Sequence, residues 1–211
     1  MKLVEALNAA FPTLSQRLHA VALLDKDLGI EAATNTTKFL PVSMIENFVL
    51  DPVVIWEAIE PVVEKTPFQT IEDVEAAIDS VVDSLTSREI ERRAKADLGY
   101  CAFRPESPMD TLNNQVQEHI ARVADRFSPE RVAAAMEHGR AAVAELEGNK
   151  RRREHFHGKN VINAFYAKHL HATGMKKEIF KFLGAKKARD RKAVTTFFDA
   201  FFAELRSIEG V

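Results

Sequence analysis

His19-Ala20-Val21-Ala22-Leu23-Leu24-Asp25-Lys26-Asp27 is the stretch on which the fold turns. Its first six residues form a short apolar run of the kind a buried strand uses. Two carboxylates follow at once, one residue apart. A strand that stops near Asp25 projects both from its carboxyl end, whereas one that continued would send them to opposite faces. Gly29 just beyond fits the turn that such a stop needs. Carboxylates so placed are hard oxygen ligands, suited to Mg²⁺ or Mn²⁺ and so to phosphate chemistry. The bland alternative is that Asp25 caps a turn and Asp27 is solvated.

Working outward, Thr37-Lys38-Phe39-Leu40-Pro41-Val42 reads as a second strand, kept brief or at an edge by Pro41. Leu3, Leu7 and Phe11 recur at helical spacing ahead of Pro12. Beyond the second strand, Ile45-Glu46-Asn47-Phe48-Val49-Leu50-Asp51-Pro52 interrupts an apolar stretch with polar residues. If the two strands are neighbours, Glu46 brings a third oxygen to the metal site. The rest is helical in pattern. Asp51-Pro52 supplies a cap and first-turn proline for a helix running toward Glu64, disturbed at Pro61. Thr70 precedes an apolar stripe from Ile71 to Leu85, and Thr86-Ser87-Arg88-Glu89 reads as a capping box. Gly99 to Asp110 is a connection, and Ser128-Pro129-Glu130 opens a helix to about Glu147. The strongest stripe, Val194, Phe197, Phe198, Phe201, Phe202 and Leu205, calls for packing on the core or a partner, a second copy included.

The expected fold is therefore α/β but predominantly helical: a small sheet near the N-terminus followed by a helical region. Three segments follow from this: an α/β segment over 1–52, a helical insertion or extension over 53–148, and a basic segment with amphipathic helices over 149–211. Two strands do not make a stable sheet alone. Helices must cover this one, or another chain must complete it.

Charge is segregated. Residues 1–149 hold 14 Lys+Arg against 25 Asp+Glu, a balance of −11, while residues 150–192 hold 14 against 3, a balance of +11. The densest basic runs contain Lys150, Arg151, Arg152 and Arg153, then Lys186 and Lys187. They suit either the phosphates of DNA or RNA or the acidic surface of this same chain.

His155-Phe156-His157-Gly158-Lys159-Asn160 precedes a helical pattern, and Lys159 at a helix start suits a phosphate. It is not a nucleotide-binding P-loop, because the upstream glycine is missing and Asn160 stands where Ser or Thr belongs. In the two His-x-His pairs, His155/His157 and His169/His171, the rings point about 200° apart on a helix and no cysteine accompanies them, so surface or packing histidines are preferred to zinc. The single cysteine, Cys101, excludes an internal disulfide. Nothing approaches a membrane span, and Glu5 spoils the apolar stretch of a signal peptide. A cytoplasmic protein is expected.

The segments Val21 to Asp27 and Ile45 to Pro52 together resemble TOPRIM-like domains carried by ATPases of the OLD (overcoming lysogenization defect) type. In these, a strand ending in Asp-x-Asp and a Glu-Asn-Tyr/Phe-Leu-Leu segment recur, often with a later Gly-Lys before a helix, matched here by Gly158-Lys159. The resemblance covers 19–52 and, more weakly, 157–166. It implies Mg²⁺- or Mn²⁺-dependent cleavage of DNA or RNA, frequently in phage defence, with an ATPase subunit as partner. Asp25, Asp27 and Glu46 would serve the metal, and Lys159 the phosphate. The family's Glu-Gly strand end has no counterpart ahead of Asp25. The chain thus reads as a fragment, a degenerate copy or the second part of a split protein, with the missing glutamate expected from a partner.

Two other readings stand beside this one. The chain is alternatively a catalytically inactive helical module that docks an ATPase subunit through its Phe-rich helix. Phosphatases of the haloacid-dehalogenase type also place Asp-x-Asp after an apolar strand. Here, however, Leu28-Gly29 follows instead of Gly-Thr, and no late Gly-Asp-x-x-x-Asp is present.

Overall fold

The computed structural model describes residues 22–25, 37–99, 101–102 and 111–208. Asp27, strand positions 19–21 and the Leu3/Leu7/Phe11 helix lie outside the described residues. The chain divides into two compact units: one of residues 1–84 with 152–211, the other of residues 85–151.

In the first unit, β1 (Ala22–Leu24) and β2 (Thr37–Phe39) pair in parallel, Leu23 opposite Lys38, and the Leu40 N–H extends the ladder to the Leu24 carbonyl at 3.0 Å. A small sheet near the N-terminus followed by helices is the architecture expected from the sequence; the parallel direction of its strands comes from the structure. The chain then makes a 3₁₀ turn over Ile45–Leu50 and enters α1 (Pro52–Ile59). The Asp51 carboxylate accepts from the N–H groups of Val53 (2.8 Å) and Val54 (3.4 Å), satisfying donors that no helical carbonyl can reach. Pro61 cannot donate within the helix, and the chain tightens into 3₁₀ geometry over Glu60–Lys65.

Next comes α2 (Ile71–Ser84), whose start is held reciprocally: the Asp73 carboxylate accepts from Gln69 and Thr70, and Asp73 N–H donates to the Thr70 hydroxyl. Those backbone donors hold the Asp73 carboxyl below its ordinary pKa. The unit resumes with α6 (Arg152–His155) and α7 (Gly158–Phe165), which widens into a π turn over Tyr166–Leu170. It closes with α8 (Lys177–Arg189) and α9 (Lys192–Ile208). Val54, Ile55 and Ile59 of α1, Val74 and Ile78 of α2, Ile162 and Phe165 of α7 and Phe180 of α8 are essentially inaccessible to solvent and form one core. Phe182, two residues from Phe180, is 67% exposed, because that spacing puts it on the opposite side of α8.

The second unit comprises α3 (Thr86–Leu98), α4 (Leu112–Arg126) and α5 (Pro129–Gly148). Ser128 caps α5 by accepting from the Arg131 N–H, as expected. The capping box expected at Thr86 does not form. Leu85 is the N-cap, without a side-chain cap bond, and the Glu89 carboxylate is buried against Arg92 and Arg93 instead. The helices α3 and α5 meet at Gly139, where a Cβ would lie 2.7 Å from the Ile90 carbonyl oxygen. Only glycine permits that approach. Among the described residues, no helix is long and apolar enough to cross a membrane.

Candidate functional site

Two segments far apart in sequence meet in the first unit, and one buried amide holds them. Asn47 is 6% exposed. Its Oδ1 accepts from the Met44 N–H at 3.0 Å, closing the start of the 3₁₀ turn. Its Nδ2 donates to the carbonyls of Arg153 (2.7 Å) and Phe156 (2.9 Å). An amide has two donors and an acceptor with two lone pairs, so three of four capacities are filled. Ser43 strengthens the same seam: its N–H donates to the Glu154 carbonyl and its hydroxyl to that of His155, each at 2.8 Å. Gly158 seats against Asn47, where a Cβ would come within 2.7 Å of Oδ1. The glycine before Lys159 thus serves close packing.

This seam sets the sequence-predicted side chains in place. Asp25 stands at the carboxyl end of β1, and its Oδ1 accepts from the Ile45 N–H at 3.2 Å, which ties it to the residue before Glu46. Glu46 Oε1 lies 3.6 Å from Lys159 Nζ, while Glu46 Oε2 is buried without a hydrogen-bond partner. Asp25, Glu46 and Lys159 therefore stand on neighbouring segments. Among the described residues no three potential ligands form a metal-holding group, and Asp27 lies outside them.

The basic runs divide in use. Arg153 grips α2 bidentately, Nε to Asp79 Oδ1 at 2.7 Å and Nη2 to Asp79 Oδ2 at 2.6 Å, with Nη1 on Glu75 at 2.9 Å. The hydrogen bonds to Asp79 raise its pKa above the ordinary arginine value. Arg152 pairs with Asp83 at 2.7 Å, and Lys187 with Glu57 at 3.6 Å. Glu75, Asp79 and Asp83 recur every four residues on one face of α2, so part of the basic segment neutralises the chain's own acidic helix. Lys150, Arg151 and Lys186 are exposed.

Comparison with protein-family models, with curated proteins and with solved structures gives no match.

Of the two His-x-His pairs, His169 and His171 lie against aromatic rings. His169 lies against Phe68 and Phe165, ring centroids 5.3 and 5.1 Å away, and burial pushes its pKa down, with Lys168 adding to the effect. His171 meets Tyr166 edge-on. Beside the Glu46 segment, Phe48, Val49 and Ile162 floor an apolar groove of about 740 Å³ whose far wall is Phe198 and Phe202 of α9. Asn47 and Ser43 are the residues that reading by motif undervalued. Asn47 stands in the Glu-Asn-Phe segment of the resemblance, while the signal at Ser43 is a polar side chain inside an apolar stretch.

Proposed function

We propose that this chain is a TOPRIM-like, divalent-metal-binding protein that acts on or binds nucleic acid in an ATPase-linked defence system, serving as its nuclease part when a partner chain supplies the family's missing glutamate. The observation that carries the reading is the approach of Lys159 to Glu46 across more than a hundred residues of chain, with Asp25 bonded to the N–H of the residue before Glu46. The buried, unpartnered Glu46 Oε2 fits a cation. A carboxylate oxygen only accepts, and leaving it unmet in the interior is costly. Asp25, Glu46 and, by sequence, Asp27 would hold Mg²⁺ or Mn²⁺ through the hard oxygens these ions favour. When bound, such an ion polarises a phosphoryl oxygen. Lys159 supplies a point charge for a phosphate, and Glu46 Oε1 keeps the ammonium in place.

Isothermal titration of Mg²⁺ and Mn²⁺ into the chain, beside an Asp25→Ala, Asp27→Ala variant, tests this reading. Saturable binding in the wild type that vanishes in the variant is the expected result. Equal heats in both would end the metal-site reading.

The groove walled by Phe198 and Phe202, the latter 51% exposed, supports a second reading, a catalytically inactive module that docks an ATPase subunit. That reading predicts no metal binding and a retained fold.

A further inference from the structure

Phe182 is the most exposed large apolar side chain among the described residues, at 67%, and Ile179, three residues before it, is 48% exposed. That spacing puts both on one face of α8, and Ala185 and Lys186 continue the face three and four residues on. The opposite face is locked in the core of the first unit. Phe180 and Ala188 are buried there, and Gly184 sits so close to Val49 that a Cβ would fall 2.6 Å from its Cγ1. The helix therefore presents a convex apolar crest on a rigid support. Positive charge surrounds it. Residues 176–192, all of them described, hold 8 Lys+Arg against Glu178 and Asp190, a balance of +6. Lys187 pairs with Glu57, Arg189 with Asp190 and Arg191 with Asp51. Among the described residues, the ammonium groups of Lys176, Lys177, Lys181, Lys186 and Lys192 have no ion pair. Lys181 shares the apolar groove with Glu46 and Asp199, but Glu46 is turned to Lys159.

An exposed apolar residue by itself is ordinary, and so is a solvated lysine. Their combination on one crest suits a partner that takes up both. A bilayer surface receives apolar side chains at the acyl boundary, while lysine stems lie along the apolar region and their ammonium groups reach anionic headgroups. A single nucleic-acid strand would use the lysines and could stack a base on Phe182. It would give the aliphatic Ile179 no role, and such strands follow grooves rather than convex crests. We propose that α8 docks the protein on an anionic lipid surface, with Phe182 and Ile179 entering the boundary and Lys177, Lys181 and Lys186 meeting the headgroups. Contact of this kind lies on a membrane and needs no spanning helix. With only two large apolar side chains entering, it is reversible and depends on the negative charge of the lipid. It uses neither a metal nor Asp25 or Lys159, so it stands apart from the function proposed above.

Co-sedimentation of the full chain with vesicles in metal-free buffer tests this, comparing phosphatidylcholine alone with phosphatidylcholine containing phosphatidylserine. Binding to the anionic vesicles only, weakened by added salt, is the expected result. Lys186→Gln should lower the partition coefficient about fivefold, the effect of one lysine near such a surface. Phe182→Ser should lower it about tenfold, because an apolar side chain no longer leaves water. Both side chains are exposed and both changes spare the core, so the fold should persist. Insertion is read separately: Phe182→Trp adds emission that brominated lipid should quench, above the background of Trp56 in the wild type. The proposal is overturned if the chain ignores anionic vesicles or if Phe182→Ser binds them as the wild type does. Binding of a single-stranded oligonucleotide through Phe182, without binding to vesicles, would overturn it in favour of a nucleic-acid face.

Discussion

Replacing Asn47 by alanine should cost the first unit much of its stability. The side chain makes three hydrogen bonds, two of them to the carbonyls of Arg153 and Phe156 across more than a hundred residues of chain. Each bond is worth about 0.5–1.5 kcal/mol net, but a partner left buried and unmet costs about 1–3 kcal/mol. Because the bonds from Met44 and to Phe156 are buried, the sum comes to about 3–5 kcal/mol, against typical totals of about 5–15 kcal/mol. Urea unfolding followed by Trp56 fluorescence is the assay, since this single tryptophan lies in α1 of the same unit and ignores residues 85–151. Asn47→Asp sharpens the test. It keeps the shape but turns an oxygen toward two carbonyls, so its carboxyl is held protonated more readily than in the unfolded chain. Its stability should therefore improve as pH falls. A loss under about 1 kcal/mol for the alanine variant would refute the reasoning, because an ordinary substitution costs that much.

Glu89→Ala should destabilise the second unit by about 3–5 kcal/mol, since it strips the buried counter-charge from Arg92 and Arg93. Circular dichroism melting reads it, and a loss confined to residues 85–151 should leave Trp56 emission native. His169 should make stability depend on pH. Its pKa is depressed in the folded state, so the unfolded chain takes up the proton first. The contribution is complete above the unfolded value of about 6.5 and is lost as pH falls below it toward the folded value. His169→Phe should flatten the urea midpoint between about pH 5 and 7, and an unchanged slope would assign it to other groups.

Much of the architecture is legible along the chain because it depends on neighbours. Asp51-Pro52 and Ser128-Pro129 begin helices, since a cap acts on N–H groups two or three residues away. The α2 stripe of Val74, Ile78, Val81 and Val82 follows from helical periodicity, and the apolar run before Asp25 from strand periodicity. Glu46 and Lys159 could be chosen by type and setting.

Their 3.6 Å approach could not be read this way, because it depends on Asn47 and Gly158 closing the seam between distant segments. The partners of charged groups were equally hidden. Glu89 has the spacing of a capping residue yet turns to two arginines, and Arg153 selects Asp79 and Glu75 from the chain's many acids. Local sequence determined where helices and strands start and which faces are apolar, because those depend on short-range hydrogen bonds and periodic burial. Only the tertiary structure decided which polar groups meet, because charge and hydrogen-bond partners are set by proximity in space.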